Sequence, residues 1–480
     1  MQSVKVNKVI VLSALLISSI LGILFLSSCS DMFAWYMPDD SDIFLTIGKY
    51  WASGDCIPYI DLFDHKGPFI FLISAIGFLI GNGCKWGVMI IEICFLFVSE
   101  YFAYKILLFQ YNEKSSIILS ALIPVIFIYN FVPGNFTEEY MLPFMFISFY
   151  LYLKWMNSDK DYHNPYYALF YGVSFGFALM TRVTNSLSIC IIVLLILIKL
   201  IINKQWKNIL YNALCFLVGV LIMVVPFCVY FASKGALYDM WYATLFYNFD
   251  YTSNSGLTFE YTLKDFVLLI RMTFPGVLAV LVCLLNVIIR KNRVSLMWLV
   301  TAIPSTTFMF MLDRFANYSL ILLPFLYISF LEIHDLFDNS RQRKLIIILI
   351  ILLLTASSVV KVSKMYRLNN RNNKLEKEKY STLLKEIPED ELNNHFVALD
   401  PFVDFYLEED IKPCCKYFIF QNWQSSNSDK LANLEIEEFS NNNNIHYILV
   451  EGSGKLFSDI LEEKYVLIDS VNNYNLYKRN

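Results

Sequence analysis

Eleven apolar runs, each long enough to cross a bilayer, follow one another along the first 362 residues and leave few folds open to this chain. They lie at about 9–29, 87–109, 116–133, 139–156, 165–181, 184–203, 209–232, 266–289, 294–312, 315–337 and 344–362. A spanning helix needs ~17–25 apolar residues, and in lipid a helix is the simplest structure that satisfies its own backbone. The expectation is an α-helical polytopic membrane protein. Composition agrees: 17% of residues are charged, where a soluble domain carries about a quarter. An ordinary soluble enzyme is excluded. A net charge of −4 offers no basic surface for nucleic acid. The ten cysteines follow neither a metal-knuckle spacing nor a disulfide framework.

Lys5 and Lys8 precede the first run, which ends in Leu26-Ser27-Ser28-Cys29, a tetrapeptide of the lipoprotein-cleavage type. Because ten further spans follow, this segment is read as a first membrane helix that stays attached. A further run, Phe69 to Gly81, has only 13 residues. That is too short to span, so it is expected to lie along the membrane surface.

Basic residues support that assignment. With a cytoplasmic N-terminus and no crossing at Phe69–Gly81, the cytoplasmic loops contain Lys114, Lys154, Lys160, Lys204, Lys207, Arg290, Lys291, Arg293, Arg341, Arg343 and Lys344. The short outer loops contain only Arg182 and Arg314. This is the positive-inside distribution, and it puts the C-terminus outside. Residues 1–362 are thus expected to form the membrane domain, with a first outer loop at 30–86. A basic, polar linker at 363–394 is expected to lead to a small extracytoplasmic α/β domain at 395–480. In that domain, strands are expected at His395–Asp400, Lys416–Trp423, His446–Glu451 and Tyr465–Val471, and a helix at Asp429–Phe439. A second outer segment, 233–265, is rich in aromatics, among them Trp241, Tyr242, Phe246, Tyr247, Phe249 and Tyr251. These suit either sugar stacking or a belt at the lipid interface.

The polar residues that interrupt the apolar pattern gather on the outer side. They are Asp39, Asp40 and Asp42, then Asp61, Asp64, His65 and Lys66, then Glu138 and Glu139, Arg182 and Asn185, Asp250, and Asp313-Arg314. Taken singly, an outer-loop acid is most often a solvated one, and an Arg at a helix end usually snorkels to the headgroups. Taken together they suit chemistry on a donor carried in the bilayer, such as a sugar on a polyprenyl phosphate. Transfer from such a donor needs a carboxylate to take the acceptor hydroxyl's proton, for which Asp40 or Asp42 is available. It also needs cations or a metal to hold the phosphate as charge develops. Lys66, Arg182 and Arg314 are available for that, and Arg can bind bidentately. Two charges lie deeper, Glu92 and Arg271, each roughly 8 Å inside its span at ~1.5 Å per residue. They are expected either to pair or to leave Arg271 facing the donor phosphate. A transporter or flippase of lipid-linked sugars is the rival reading; it calls for repeated halves and charge at mid-depth.

The stretch Asp40-Ser41-Asp42-Ile43-Phe44, with Gly48, Gly54, Pro58-Tyr59 and the block DLFDHKGP from Asp61 to Pro68, resembles the first outer loop of bacterial GT-C glycosyltransferases. More narrowly it is similar to the family 39-like dolichyl-phosphate-mannose:protein mannosyltransferase group, whose relatives include aminoarabinose transferases. GNFTEEY, from Gly134 to Tyr140, and Arg182 with Asn185 extend the likeness, which covers about residues 8–340. The resemblance implies a GT-C-like membrane fold with juxtamembrane helices. It implies a polyprenyl-phosphate sugar donor and an acceptor glycan, lipid or protein at the outer face of the bacterial cytoplasmic membrane. It matches Asp40 to the catalytic carboxylate, with Asp39 and Asp42 close by, and Lys66 to the residue contacting the lipid phosphate. His65 stands where relatives have an acid near a bound metal, so metal use stays open; Asp64, His65, Glu138 and Glu139 are the candidates to hold a metal or the acceptor. Where many members have a His-Tyr pair, this chain has Asn317-Tyr318, and an amide cannot titrate near neutral pH.

Overall fold

The computed structural model describes residues 7–30, 32, 39–130, 133–158, 160–254, 263–311, 316–399, 406–407, 409–419, 429–451, 457–472 and 474–480. Its helices are α1 (Lys8–Leu26), α2 (Asp39–Ser53), α3 (Pro68–Ile80), α4 (Trp86–Leu107), α5 (Glu113–Ser120), α6 (Ile123–Asn130), α7 (Thr137–Met156), α8 (Pro165–Leu179), α9 (Leu187–Ile202), α10 (Trp206–Ser233), α11 (Leu237–Trp241), α12 (Tyr247–Asn254), α13 (Leu263–Met272), α14 (Phe274–Arg290), α15 (Arg293–Met311), α16 (Leu323–Leu336), α17 (Ser340–Leu384), α18 (Glu389–Leu392), α19 (Asp429–Asn441) and α20 (Ser458–Lys464). Four strands complete it: β1 (Phe396–Leu399), β2 (Tyr447–Glu451), β3 (Tyr465–Val471) and β4 (Tyr474–Arg479).

Each of the eleven apolar runs is helical among the described residues. Among the described residues six helices are long and apolar enough to cross a membrane, and a seventh span forms if a bent pair counts as one. The chain is a multi-pass membrane protein. The bent pair is α13 and α14, which meet at 79°. Pro275 at the start of α14 has no N–H to continue the earlier ladder. The run at 116–133 is likewise divided, into α5 and α6.

The molecule forms two compact units. The first comprises residues 1–33, 89–227 and 258–363. Its innermost span is Asn317–Leu336, 83% buried, whereas the apolar stretches of α10 and α17 are each only 17% buried. Apolar side chains on those outer helices therefore face the lipid. Helices α8 and α10 approach closely through small residues. A Cβ on Gly172 would lie 2.0 Å from the Phe216 carbonyl oxygen, and one on Gly219 would lie 2.2 Å from that of Leu169. Such small-residue contacts replace the hydrophobic drive that lipid removes. A polar knot ties α14, α15 and α16: Asn286 and Ser295 both donate to Glu332 Oε2, at 2.7 and 2.5 Å.

The second unit comprises residues 34–88, 228–257 and 364–480. It joins the segment between α1 and α4, the aromatic segment and the tail. Lys49 Nζ pairs with Asp410 at 2.5 Å, Lys412 Nζ donates to the Asp55 carbonyl, and Phe63 N donates to the Lys416 carbonyl at 2.9 Å. Helix α3 has 13 residues, roughly 20 Å at ~1.5 Å per residue, well under the ~30 Å of a hydrocarbon core. It packs on α2 where Gly48 lets the Ser74 backbone approach; a Cβ there would lie 2.9 Å from the Ser74 carbonyl carbon.

The tail's sheet has the order β1-β2-β4-β3. β1 and β2 are parallel, and β4 is antiparallel to both β2 and β3. The sequence reading anticipated β1, β2, β3 and α19 but not β4. Residues 416–419 of the expected Lys416–Trp423 strand form no strand, and 420–423 lie outside the described residues. The expected linker starts as a continuation of α17, which runs to Leu384. No Gly or Pro stands between Lys361 and Lys379 to end it.

Candidate functional site

Within the second unit, the block before Pro68 forms a tight polar turn. The Asp64 carboxylate accepts the Lys66 backbone N–H at 2.8 Å, which folds the turn back on itself. It also lies 3.5 Å from His65 Nδ1. On the other side of the ring, Lys66 Nζ sits 2.7 Å from His65 Nε2. An ammonium can only donate, so Nε2 is the lone-pair nitrogen and Nδ1, facing Asp64, carries the proton. Asp64, the imidazole and the Lys66 ammonium thus form a continuous polar line, with all three side chains buried.

The line is held in place from several directions. Tyr59 OH donates to the Lys66 carbonyl at 2.8 Å, Asn248 Nδ2 donates to the His65 carbonyl at 3.0 Å, and the Tyr247 ring stacks on His65 at 5.8 Å. Burial, with the Asp64 charge adding to it, pushes the Tyr59 phenol up, and burial with the Glu435 charge pushes up that of Tyr247, so both stay neutral. Tyr59 has φ of 74°, a left-handed backbone rare for a bulky side chain. It survives because the ring is fully buried between Phe71 and Phe231.

Asp40 lies in the first turn of α2 and is half-buried; Asp42 is buried. Asp40 and Phe44 are four residues apart and so share one face of the helix. The Lys66 ammonium lies 5.9 Å from the Phe44 ring centre, a cation–π distance. The Lys66 cation thus lies beside the ring that follows Asp40 by one turn on the same face of α2. The Asp39 side chain, Asp313 and Arg314 lie outside the described residues.

The first unit holds a second polar cluster. Arg182 Nη1 bonds Glu138 at 3.2 Å, and its guanidinium lies 3.3 Å from the Tyr318 ring centre. Arg182 Nε also donates to Thr184 at 3.2 Å. Tyr318 thus serves as a stacking platform, a role the sequence had no way to announce. Glu139 accepts the Gly134 N–H at 2.7 Å. Glu92 accepts Ser27 Oγ at 2.8 Å and the Asn135 N–H at 2.6 Å. These carboxylates pin the GNFTEEY segment, and Gly134 fits against Ser28, where a Cβ would collide with Oγ. Glu92 and Arg271 do not pair with each other. Glu92 is instead bound to Ser27 and Asn135, and Arg271 lies over Tyr129 at 5.6 Å.

The first-loop residues fit a metal poorly. A cation at His65 would have to displace the Lys66 ammonium from the only lone pair the imidazole offers. Among the described residues, the one convergence of three ligating groups is elsewhere, at Glu391, His395 and His446.

Comparison with solved structures agrees with this architecture. ArnT from Cupriavidus metallidurans bound to undecaprenyl phosphate superimposes with a TM-score of 0.59 at 12% identity, over 98% of this chain and 97% of that one. The apo state of the same protein gives 0.58 at 10% identity, with the same coverage of both chains. An apo oligosaccharyltransferase from Archaeoglobus fulgidus gives 0.52 at 12% identity, over 95% of this chain and 71% of that one. At these identities the likeness establishes the fold, which is that of GT-C membrane glycosyltransferases. No curated protein matches the sequence. Residues 2–365 match the family described as the putative competence-induced protein Ccs4 N-terminal domain, and this chain, GT-C in fold, belongs to that family.

Proposed function

We propose that the protein transfers a single sugar from a polyprenyl-phosphate donor to a glycan, lipid or protein acceptor at the outer face of the cytoplasmic membrane. The observation that carries this reading is the buried Lys66 cation beside the face of α2 that bears Asp40, within a GT-C frame. The N-terminus is cytoplasmic and the tail external in this reading, which the distribution of Lys and Arg supports.

Asp40, or Asp42 next to it, takes the proton of the acceptor hydroxyl. The acceptor oxygen then bonds the anomeric carbon as the bond from that carbon to the phosphate oxygen breaks. Polyprenyl phosphate leaves with the electron pair, and one displacement inverts the anomeric centre. Lys66 meets the charge that grows on the leaving phosphate. A cation placed where charge develops lowers the barrier more than one that merely binds the ground state. Arg182, Arg314 and Arg271 are the further candidates for the phosphate, and Asp64, His65, Glu138 and Glu139 for orienting the acceptor or the cations.

The test is release of free polyprenyl phosphate from a labelled lipid-linked sugar by the purified protein in detergent. Release that depends on acceptor and is lost in Asp40→Asn supports transfer. Passage of intact donor across vesicles without release would establish a flippase instead.

A further inference from the structure

The segment between α17 and the sheet carries a second constellation, remote in sequence from every residue invoked above. Glu391 lies in the short helix α18, and His395 follows one helical turn later, its N–H donating to the Glu391 carbonyl at 2.8 Å. Residues four apart in such a turn share a face. His395 immediately precedes β1 and His446 immediately precedes β2. The parallel pairing of those strands brings the two histidines side by side. The His395 carbonyl accepts both the His446 and the Tyr447 N–H, at 2.8 and 3.0 Å.

The side chains complete the arrangement. The two imidazoles stack with centres 4.1 Å apart and planes 13° from parallel. Glu391 Oε2 lies 2.6 Å from His446 Nδ1. His395 Nδ1 lies 2.9 Å from the Asn444 carbonyl. A carbonyl can only accept, so His395 Nδ1 carries the proton and Nε2 is left with its lone pair free to bind. One donor atom from each of Glu391, His395 and His446 lies within 4.8 Å of the others.

We propose that Glu391, His395 and His446 form a binding site for a divalent transition-metal ion of the zinc class. Two imidazoles and one carboxylate suit a borderline ion such as Zn²⁺, whereas Mg²⁺ and Ca²⁺ call for oxygen ligands throughout. The Asn444 carbonyl is the outer hydrogen-bond partner that fixes a ligating imidazole's tautomer and direction. Glu391 and His446 are 30% and 38% exposed, which gives the ion an entry path and leaves a fourth position for water. Small rotations of the three side chains draw the donors to the roughly 2.0–2.2 Å bonds such an ion makes. Once bound, the ion clips the turn before β1 to the start of β2 and steadies the sheet.

The full-length protein, purified in detergent and stripped with chelator, tests this by titration with Co²⁺ followed by displacement with Zn²⁺. The expected result is one Co²⁺ per chain, with the visible absorption of a four-coordinate site, and a melting temperature raised by Zn²⁺. His446→Ala should weaken binding by at least ~100-fold. Glu391→Gln keeps a hydrogen bond to His446 and so preserves the fold, yet should weaken binding by about 10–100-fold and abolish the thermal shift. A wild type that binds no Co²⁺ or Zn²⁺ at micromolar concentration would overturn the proposal. So would a bound ion that both variants retain with unchanged affinity.

Discussion

The Lys66 ammonium donates to Nε2 of His65, its neighbour in sequence, at 2.7 Å, and the pair is buried together. Adjacent side chains in an extended segment would point to opposite sides; the turn closed by Asp64 on the Lys66 N–H brings these two together. A buried ammonium with a neutral partner keeps its full charge available for an anion. Replacing Lys66 with Ala should therefore cut kcat/KM for the lipid-linked donor by about 10–100-fold, roughly 1.4–2.7 kcal/mol. Lys66→Arg should recover only part of this, because a planar guanidinium does not reproduce the compact point charge of the ammonium. His65→Ala should give a smaller loss, expressed mainly in donor KM, since His65 holds the Lys66 ammonium at Nε2 and in this proposal only positions it. Steady-state kinetics with varied donor separates the two, and unchanged constants in Lys66→Ala remove it from the phosphate role.

Asp40 and Asp42 stand two residues apart on α2 and in different environments, one half-buried and the other buried. A general base contributes about 10²–10⁴-fold, so Asp40→Asn should lower kcat by that factor while leaving expression and donor binding intact. Asp42→Asn should show itself mainly in stability, because a buried carboxylate is held by the structure around it. Parallel measurement of turnover and thermal unfolding distinguishes base from support. Loss of turnover in Asp42→Asn with an unaffected Asp40→Asn would exchange the two assignments.

Much of the frame behind these assignments is legible in the sequence, because hydrophobic run length is a one-dimensional property. Among the described residues each of the eleven runs is largely helical, two of them as broken helices, and the short Phe69–Gly81 run falls on the 13-residue α3. What was not legible depends on partners distant in the chain. Lys416 to Phe418 reads as a strand from its aromatic, β-prone residues. Its carbonyls are instead taken by Phe63 N and by Tyr406 OH, at 2.9 and 3.2 Å, and tertiary partners override local propensity. β4 was hidden for the opposite reason. Only Tyr474 and Leu476 are buried in it, and Lys478 and Arg479 give its end a surface character. The stacking of Arg182 on Tyr318 joins residues 136 positions apart, a relationship no local pattern encodes.

The Arg182–Glu138 pair is set in a nearly dry place: the Glu138 side chain is 1% exposed and that of Arg182 16%. Breaking a buried pair from one side strands the other charge, at a cost of about 3–5 kcal/mol. Arg182→Ala should thus destabilise more than Glu138→Ala, since it strands the more deeply buried charge, whereas the guanidinium left by Glu138→Ala keeps Thr184 and the Tyr318 ring. The double variant should recover part of the loss. Thermal unfolding of the three proteins in detergent gives the coupling; strictly additive losses would show that the pair contributes nothing beyond its separate contacts.

Cys56 and Cys84 both lie between α1 and α4 and differ sharply in environment. Cys84 is exposed, whereas Cys56 is buried, and burial, with the Asp61 carboxylate adding to it, pushes the Cys56 thiol up to about 12. Thiolate is the reactive form, so Cys56 labelling should be negligible at neutral pH and should rise only as pH climbs toward that value. A membrane-impermeant maleimide applied to intact cells at pH 7.5 should label Cys84 and spare Cys56, while Cys84→Ser should remove the loop's signal. Denaturant should then expose Cys56 at the same pH. Labelling of Cys84 only after the cells are opened would put this loop on the cytoplasmic side, and with it Asp40 and Lys66, where no outward-facing transfer could use them.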